Sequence, residues 1–350
     1  MSEQHTTPSR LGLGFLFCVA LATSATAPAC SGGGSTPPAP DASADAAIEA
    51  AEARAELDAA LADAALDAEA DADAAADADA DADAAADAAA AAAALPGTSE
   101  GCPGDMVLVA GEYCPLVQQR CTEHHDEFEK DQAKKKKASE QGDGSGPSTV
   151  SERCMRYEEP SVCLSKKRTP MRFCMDRYEW PNEKGELPAL LVSWGDAQKL
   201  CEAKGKRLCS EAEFNFACEG EAMLPYTYGY ERDPTACNID KPYRKREKKL
   251  FKYERCLKRP ECKAELEKLD QRLPTGSMPR CVSPFGVYDL NGNINEWVVR
   301  PKQKYPNRSG LKGGWWGPVR GRCRPTVGFH KEDDYGYEEG FRCCKEAEGT

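Results

Sequence analysis

The chain has 350 residues, 18 cysteines and a formal net charge of −12. Residues 41–95 hold 32 Ala, 12 Asp and 4 Glu against a single Arg, so that tract carries −15 and the rest of the chain +3. The acidity therefore implies no acidic folded surface, and the tract has no apolar stripe to bury. About 250 residues, 101–350, remain for one sizeable core.

In chain order, Arg10 precedes the apolar run Leu11–Ala20, and small residues follow as far as Cys30. The run is too short for a membrane span, which needs ~20 apolar residues, and suits a secretory signal over 1–29. Ala27-Pro28-Ala29-Cys30 resembles a bacterial lipobox, in which Cys30 carries the lipid. Ordinary signal cleavage nearby is the other reading. Residues 30–100 then read as a low-complexity tether, helical or not, whose role is distance from a membrane. The expected location is the cell envelope, as an exported lipoprotein on the periplasmic or outer-membrane face.

Sixteen cysteines lie between Cys102 and Cys344, an even number that suits a disulfide framework in an exported chain. Zinc is disfavoured: no CxxC pair occurs, and His124, His125 and His330 are the only histidines beyond the leader. His124 and His125 fall in the polar stretch TEHHDEFEKD, read as a solvated loop.

Arg172–Trp180 (RFCMDRYEW) alternates like a half-buried strand. Ser193 and Asp196 have capping-box spacing and open a helix with Ala197, Leu200 and Cys201 on one face, stopping at Gly205. Ser210 and Glu213 open a second helix, with Phe214, Ala217 and Cys218 on one face and a stop at Gly220. Both helices carry a cysteine on the side expected to be buried.

The run VSWGDAQKLCEAKGKRLCSEAEFNFACEG (192–220) resembles the most diagnostic stretch of the formylglycine-generating enzyme, or sulfatase-modifying factor, superfamily. YTYG (226–229), CNI (237–239), SPFGVYDLNGNINEWV (283–298), GGWW (313–316) and GFRC (340–343) follow in the family's order, and DMVLVAGEY (105–113) fits its first strand. The resemblance implies an α+β fold over 101–350: a sulfatase-modifying-factor variant of the C-type-lectin-like fold, disulfide-rich and low in regular secondary structure. Insertions fall near 114–169 and 241–280.

Active members of the family carry a redox-active cysteine pair, five residues apart, just after a Gly-Gly motif. The pair binds Cu(I), a metal suited to soft thiolates. Here the segment reads GGWWGPVRGRCRPTVGFH. Aligned without gaps from Gly313, the two positions are Pro318 and Cys323. Aligned on the arginine-rich strand, the catalytic segment is shortened and Cys323 lies beyond it. Either way the pair is missing, so no copper and no catalytic residue are expected. The resemblance further implies disulfides Cys201–Cys343 and Cys218–Cys323.

Asp289–Glu296 (DLNGNINE) has two readings. By resemblance, the side chains of Asp289 and Glu296 and the carbonyls of Gly292 and Ile294 hold calcium, an oxygen-seeking cation. Alternatively the stretch is an Asn-Gly turn whose polar groups cap backbone amides. A second family calcium site would involve Asn238 and Ile239.

Lys241–Arg272 holds 13 Lys/Arg against 6 Asp/Glu. Cys256 and Cys262 flank Pro260 and suit a helical hairpin closed by one disulfide. The basic run is either a solvated face or a surface for an anionic envelope polymer or a neighbouring acidic tether. Sparse aromatics give no support to nucleic-acid binding. Cys114–Cys163 reads as a loop insertion held by cysteines.

The functional expectation is a membrane-tethered binding or scaffolding domain whose partner is a ligand or an envelope protein. The alternative is a divergent oxidoreductase of the same family acting on a protein cysteine or small thiol. An open cleft at Trp315, Trp316 and Arg320 would favour ligand binding, and a filled one scaffolding.

Overall fold

The computed structural model describes residues 101–140, 151–247 and 260–349. The expected signal segment, Cys30 and the expected tether lie outside them, as does Cys256.

Two long strands, β1 (Met106–Tyr113) and β6 (Thr169–Asp176), pair antiparallel from Met106 opposite Asp176 to Tyr113 opposite Thr169. With β7 (Arg207–Leu208) and β11 (Cys343–Glu346) they form a sheet in the order β1-β6-β11-β7. A three-stranded sheet of β8 (Asn295–Val299), β9 (Ser309–Lys312) and β10 (Glu339–Gly340) has the order β10-β8-β9. The first strand lies where the resemblance placed it. The RFCMDRYEW strand ends at Asp176, and its last four residues are all buried rather than alternating. The reason is that both faces of β6 are covered. Phe173 and Met175 enter the main core, whereas Cys174 is bonded to Cys102 and Asp176 accepts from Lys206 Nζ at 2.7 Å.

Helix α2 (Trp194–Ala203) starts where the Ser193 hydroxyl accepts from the Asp196 amide at 3.1 Å, and Gly205 beyond its end takes φ +66°. Trp194, Ala197 and Cys201 are buried, and Leu200 is half-buried. Helix α3 (Glu211–Glu219) has the full capping box: Ser210 Oγ accepts from Glu213 N, and Glu213 Oε2 accepts from Ser210 N. Burial runs through every position from Glu213 to Glu219, so α3 is a central helix rather than a half-exposed one. Its rings pack against β1 and β6.

The first insertion is more ordered than a loop. It nests two short ribbons, β2 (Val117–Gln118) with β5 (Val162–Cys163) and β3 (Cys121–His124) with β4 (Cys154–Tyr157). Cys114–Cys163 closes the outer ribbon and Cys121–Cys154 the inner. Helix α1 (Asp126–Glu140) leads out of β3. His124 ends β3 instead of lying in a loop; it stacks on Phe128 and faces Glu152 at 3.4 Å. In the second insertion residues 241–247 and 260–280 are described, with helix α4 (Pro260–Leu269) among them. Cys262 within it is disulfide-bonded.

Candidate functional site

The segment after β9 turns back on itself at two left-handed glycines, Gly313 (φ +77°) and Gly314 (φ +81°). A Cβ on Gly314 would lie 2.6 Å from the Gly321 Cα, so the two ends of the loop touch and only glycine fits there. The Arg232 guanidinium pins the loop from behind. It donates to Val319 O at 2.7 Å and Gly321 O at 3.2 Å while paired with Asp240. The Cys323 amide donates to Pro225 O at 3.0 Å.

Trp315, Trp316 and Tyr337 make a triad with ring centroids 5.3–6.1 Å apart. Trp316 is fully buried against Leu190, Leu191 and Ile294 of the common fold and against Leu266 and Leu269 of α4. The Trp316 amide donates to Asn293 O, and its carbonyl accepts from Lys241 N, the first residue of the insertion. A Cβ on Gly317 would meet the Trp315 ring at 2.7 Å. The place expected to be either a cleft or filled is thus filled, with the insertion's own helix on top. Arg320 alone of the three residues is exposed.

Cys323 has no free thiol. It is bonded to Cys218 of α3, buried in the main core. Cys201 of α2 is bonded to Cys343. All the cysteines among the described residues are disulfide-bonded, including Cys209–Cys344 and Cys237–Cys281. The Cys256–Cys262 pairing reaches beyond the described residues. Pro318 offers no donor. Neither a thiolate pair nor a lone thiolate is available here to hold copper or attack a substrate.

The stretch from Asp289 to Glu296 forms a turn with left-handed residues at Asp289, Gly292 and Asn293. A Cβ on Gly292 would strike Asn238 O at 2.3 Å, so Gly292 allows the turn to press against that chain. Glu296 is buried, and both its oxygens accept from Arg342, at 2.6 and 2.8 Å. Asp289 Oδ2 accepts from Thr275 Oγ1 and Gly276 N. Burial pushes the Asp289 carboxyl up to about 6 and raises Glu296 against the pull of Arg342. Glu179, fully buried beside them, accepts from Asn293 Nδ2 at 2.7 Å, and its Oε1 is orphaned. The carboxylates of Asp289 and Glu296 are therefore already held by protein donors, and Arg342 supplies the positive charge a cation would bring. Calcium at Glu296 would have to displace that guanidinium. Among the described residues no group of three or more His, Cys, Asp or Glu is arranged to hold a metal.

Three charged residues here escaped the sequence reading. Lys312 is buried, and its ammonium donates to Arg324 O (2.8 Å), Pro325 O (3.0 Å) and Thr326 Oγ1. Burial pulls its pKa down to about 7. Arg324 forks onto Glu219 of α3, whose carboxyl burial pushes up to about 7. Arg342 is the third. For Lys312 the usable signal was a lone charge at the end of a short buried strand, Ser309-Gly-Leu-Lys312.

With this geometry in view, residues 147–347 match the family described as the sulfatase-modifying factor enzyme 1-like domain. The chain belongs to that family. Two curated relatives, both named inactive C-alpha-formylglycine-generating enzyme 2, come from Bos taurus and Mus musculus. Each is 28% identical over 173 residues, 47% of this chain and 52% and 51% of theirs. The chain thus spans about half the length of the curated relatives it matches. Among solved structures, CarF is 15% identical with a TM-score of 0.40, covering 70% of this chain and 98% of its own. PvdO from Pseudomonas aeruginosa is 20% identical with a TM-score of 0.39, covering 72% and 98%.

Proposed function

We propose that this is a non-catalytic sulfatase-modifying-factor-like domain that serves binding or scaffolding at the cell envelope, held to a membrane through a lipid on Cys30. One observation carries the reading. The only cysteine near the family's catalytic segment, Cys323, is tied to Cys218 in the core, and the adjoining Trp315-Trp316 turn lies beneath α4. A copper oxidase needs a reachable pair of soft ligands, and the segment from Gly313 to Cys323 offers no histidine or methionine to replace one. The name of the curated relatives, which marks them as inactive, agrees with this. Filling of the Trp316 site favours a scaffold, or a ligand bound elsewhere, over a ligand at that turn.

The experiment is direct. Purified protein, denatured under thiol-trapping conditions, should show no free thiol at Cys323. It should bind no stoichiometric Cu(I) and should not convert a Cys-x-Pro-x-Arg peptide to formylglycine. Copper binding that vanishes in Cys323→Ser would return the protein to the oxidoreductase class. Palmitate labelling lost in Cys30→Ala tests the anchor separately; unlabelled wild type would remove it.

A further inference from the structure

The strongest unexplained surface is the basic run that opens the second insertion. Residues 241–247 read Lys-Pro-Tyr-Arg-Lys-Arg-Glu, four cations against one acid, and all seven are exposed. The run is held in place. Its first amide donates to Trp316 O at 2.7 Å, Gln271 Nε2 donates to Pro242 O at 3.1 Å, and Arg244 donates to Lys268 O and Asp270 O at the end of α4. Among the described residues the ammonium groups of Lys241 and Lys245 make no ion pair. By contrast Lys263 and Lys268 on α4 are partly neutralised by Glu267 and Glu265.

We propose that this run is a docking surface for the acidic tract 41–95 of the same chain. Charge chooses the occupant. The tract carries −15, and the rest of the chain is weakly positive, with its densest basic block in 241–272. Proximity favours the chain's own tract over any external polyanion. Fifty-five residues reach on the order of 40 Å as a coil and about 80 Å as a helix, enough in either form to span the roughly 45 Å breadth of a 250-residue domain. Attachment so close to the domain gives an effective concentration in the millimolar range. Sparse acids among alanines suit a surface without a deep groove, because the pairing needs no shape match. Docking makes the reach of the spacer depend on ionic strength, since exposed pairs are screened beyond ~8 Å at physiological salt.

The test uses the full chain at micromolar concentration, as a mixture of light and heavy-isotope protein, with a zero-length carboxyl–amine cross-linker and Asp-specific proteolysis. Links from Asp or Glu of 41–95 to Lys241 or Lys245 should appear within single-isotope pairs and fall at least fivefold between 20 mM and 0.5 M NaCl. In the Lys241→Glu/Lys245→Glu variant, links to the remaining Lys263 and Lys268 should fall to the high-salt level. Its Stokes radius in low salt should equal that of wild type in high salt. Both substitutions are at exposed positions, and an unchanged melting temperature checks the fold. Mixed-isotope links, salt-insensitive links, or links spread equally to Lys302 and Lys304 would overturn the proposal. So would binding to polyphosphate or anionic vesicles with no tract links, which would give the surface an external partner instead.

Discussion

Replacing Cys218 and Cys323 together by Ser separates a structural disulfide from a dormant redox centre. The bond spans 105 residues of sequence, but the other bridges shorten the loop it closes in the unfolded chain. The shortest covalent route runs about 9 residues back from Cys218 to Cys209, across to Cys344, and about 21 residues back to Cys323. For a loop of about 30 residues the chain-entropy relation gives ~3.6 kcal/mol at 25 °C, against ~4.8 if the bridge stood alone. The double variant should therefore lose about 3–4 kcal/mol, plus a smaller loss from placing two hydroxyls in an apolar core. With a urea slope near 3 kcal/mol/M, the unfolding midpoint should fall by about 1.2 M. The assay is non-reducing urea denaturation followed by tryptophan fluorescence, since Trp194, Trp297 and Trp316 are all buried. A midpoint within 0.3 M or so of wild type would refute the structural role of the bond. Loss of a catalytic activity with stability intact would identify the pair as a redox centre.

Leu269→Ala on α4, which packs against Trp316, should cost about 2–5 kcal/mol and make the Trp315-Trp316 turn accessible to hydrogen exchange; unchanged exchange would mean α4 does not cover the turn. Glu339 is buried next to His330, and burial followed by Glu338 raises its carboxyl to about 9. The folded state then holds a proton that the unfolded chain releases near 4.5, so stability falls as pH rises from about 4.5 to 9. Glu339→Gln should gain on wild type in urea melts at pH 8, with the gap closing by pH 4.5; a gap constant with pH would refute it. Adding 1 mM calcium after chelation should leave the melting temperature unchanged, because Arg342 already occupies Glu296. A rise abolished by Asp289→Asn would restore the calcium reading of the turn.

The helix starts were legible because caps are local. Ser193 and Ser210 act within three residues of themselves, and the structure uses both. The strand at 172–176 was legible as a strand but not as a central one, because the cover on its second face comes from Cys102 and Lys206, far away in sequence. The family motifs carried the fold, which composition alone could not. Most of the disulfide connectivity was beyond reach, since sixteen cysteines allow too many pairings for spacing to choose among them. The cover on the Trp316 turn was equally hidden, because it depends on where an inserted helix lands. The buried charges share that cause: Arg342 lies 46 residues from Glu296 and Arg324 105 from Glu219.

Neighbouring residues of a strand point to opposite faces, so Cys343 and Cys344 reach in different directions from β11, one to Cys201 and the other to Cys209. That strand lies between β6 and β7 in the sheet, although more than 130 residues separate it from β7 in the chain. A ribosome or a translocation pore delivers the N-terminus first. Cys201 and Cys209 must therefore wait, with thiols exposed and only eight positions apart, until more than 130 further residues have emerged. The central sheet has a gap until then, and the waiting thiols can oxidise with each other. Closing the sheet thus depends on late, long-range cysteine pairing, and a thiol-exchange catalyst should speed the maturation of this domain.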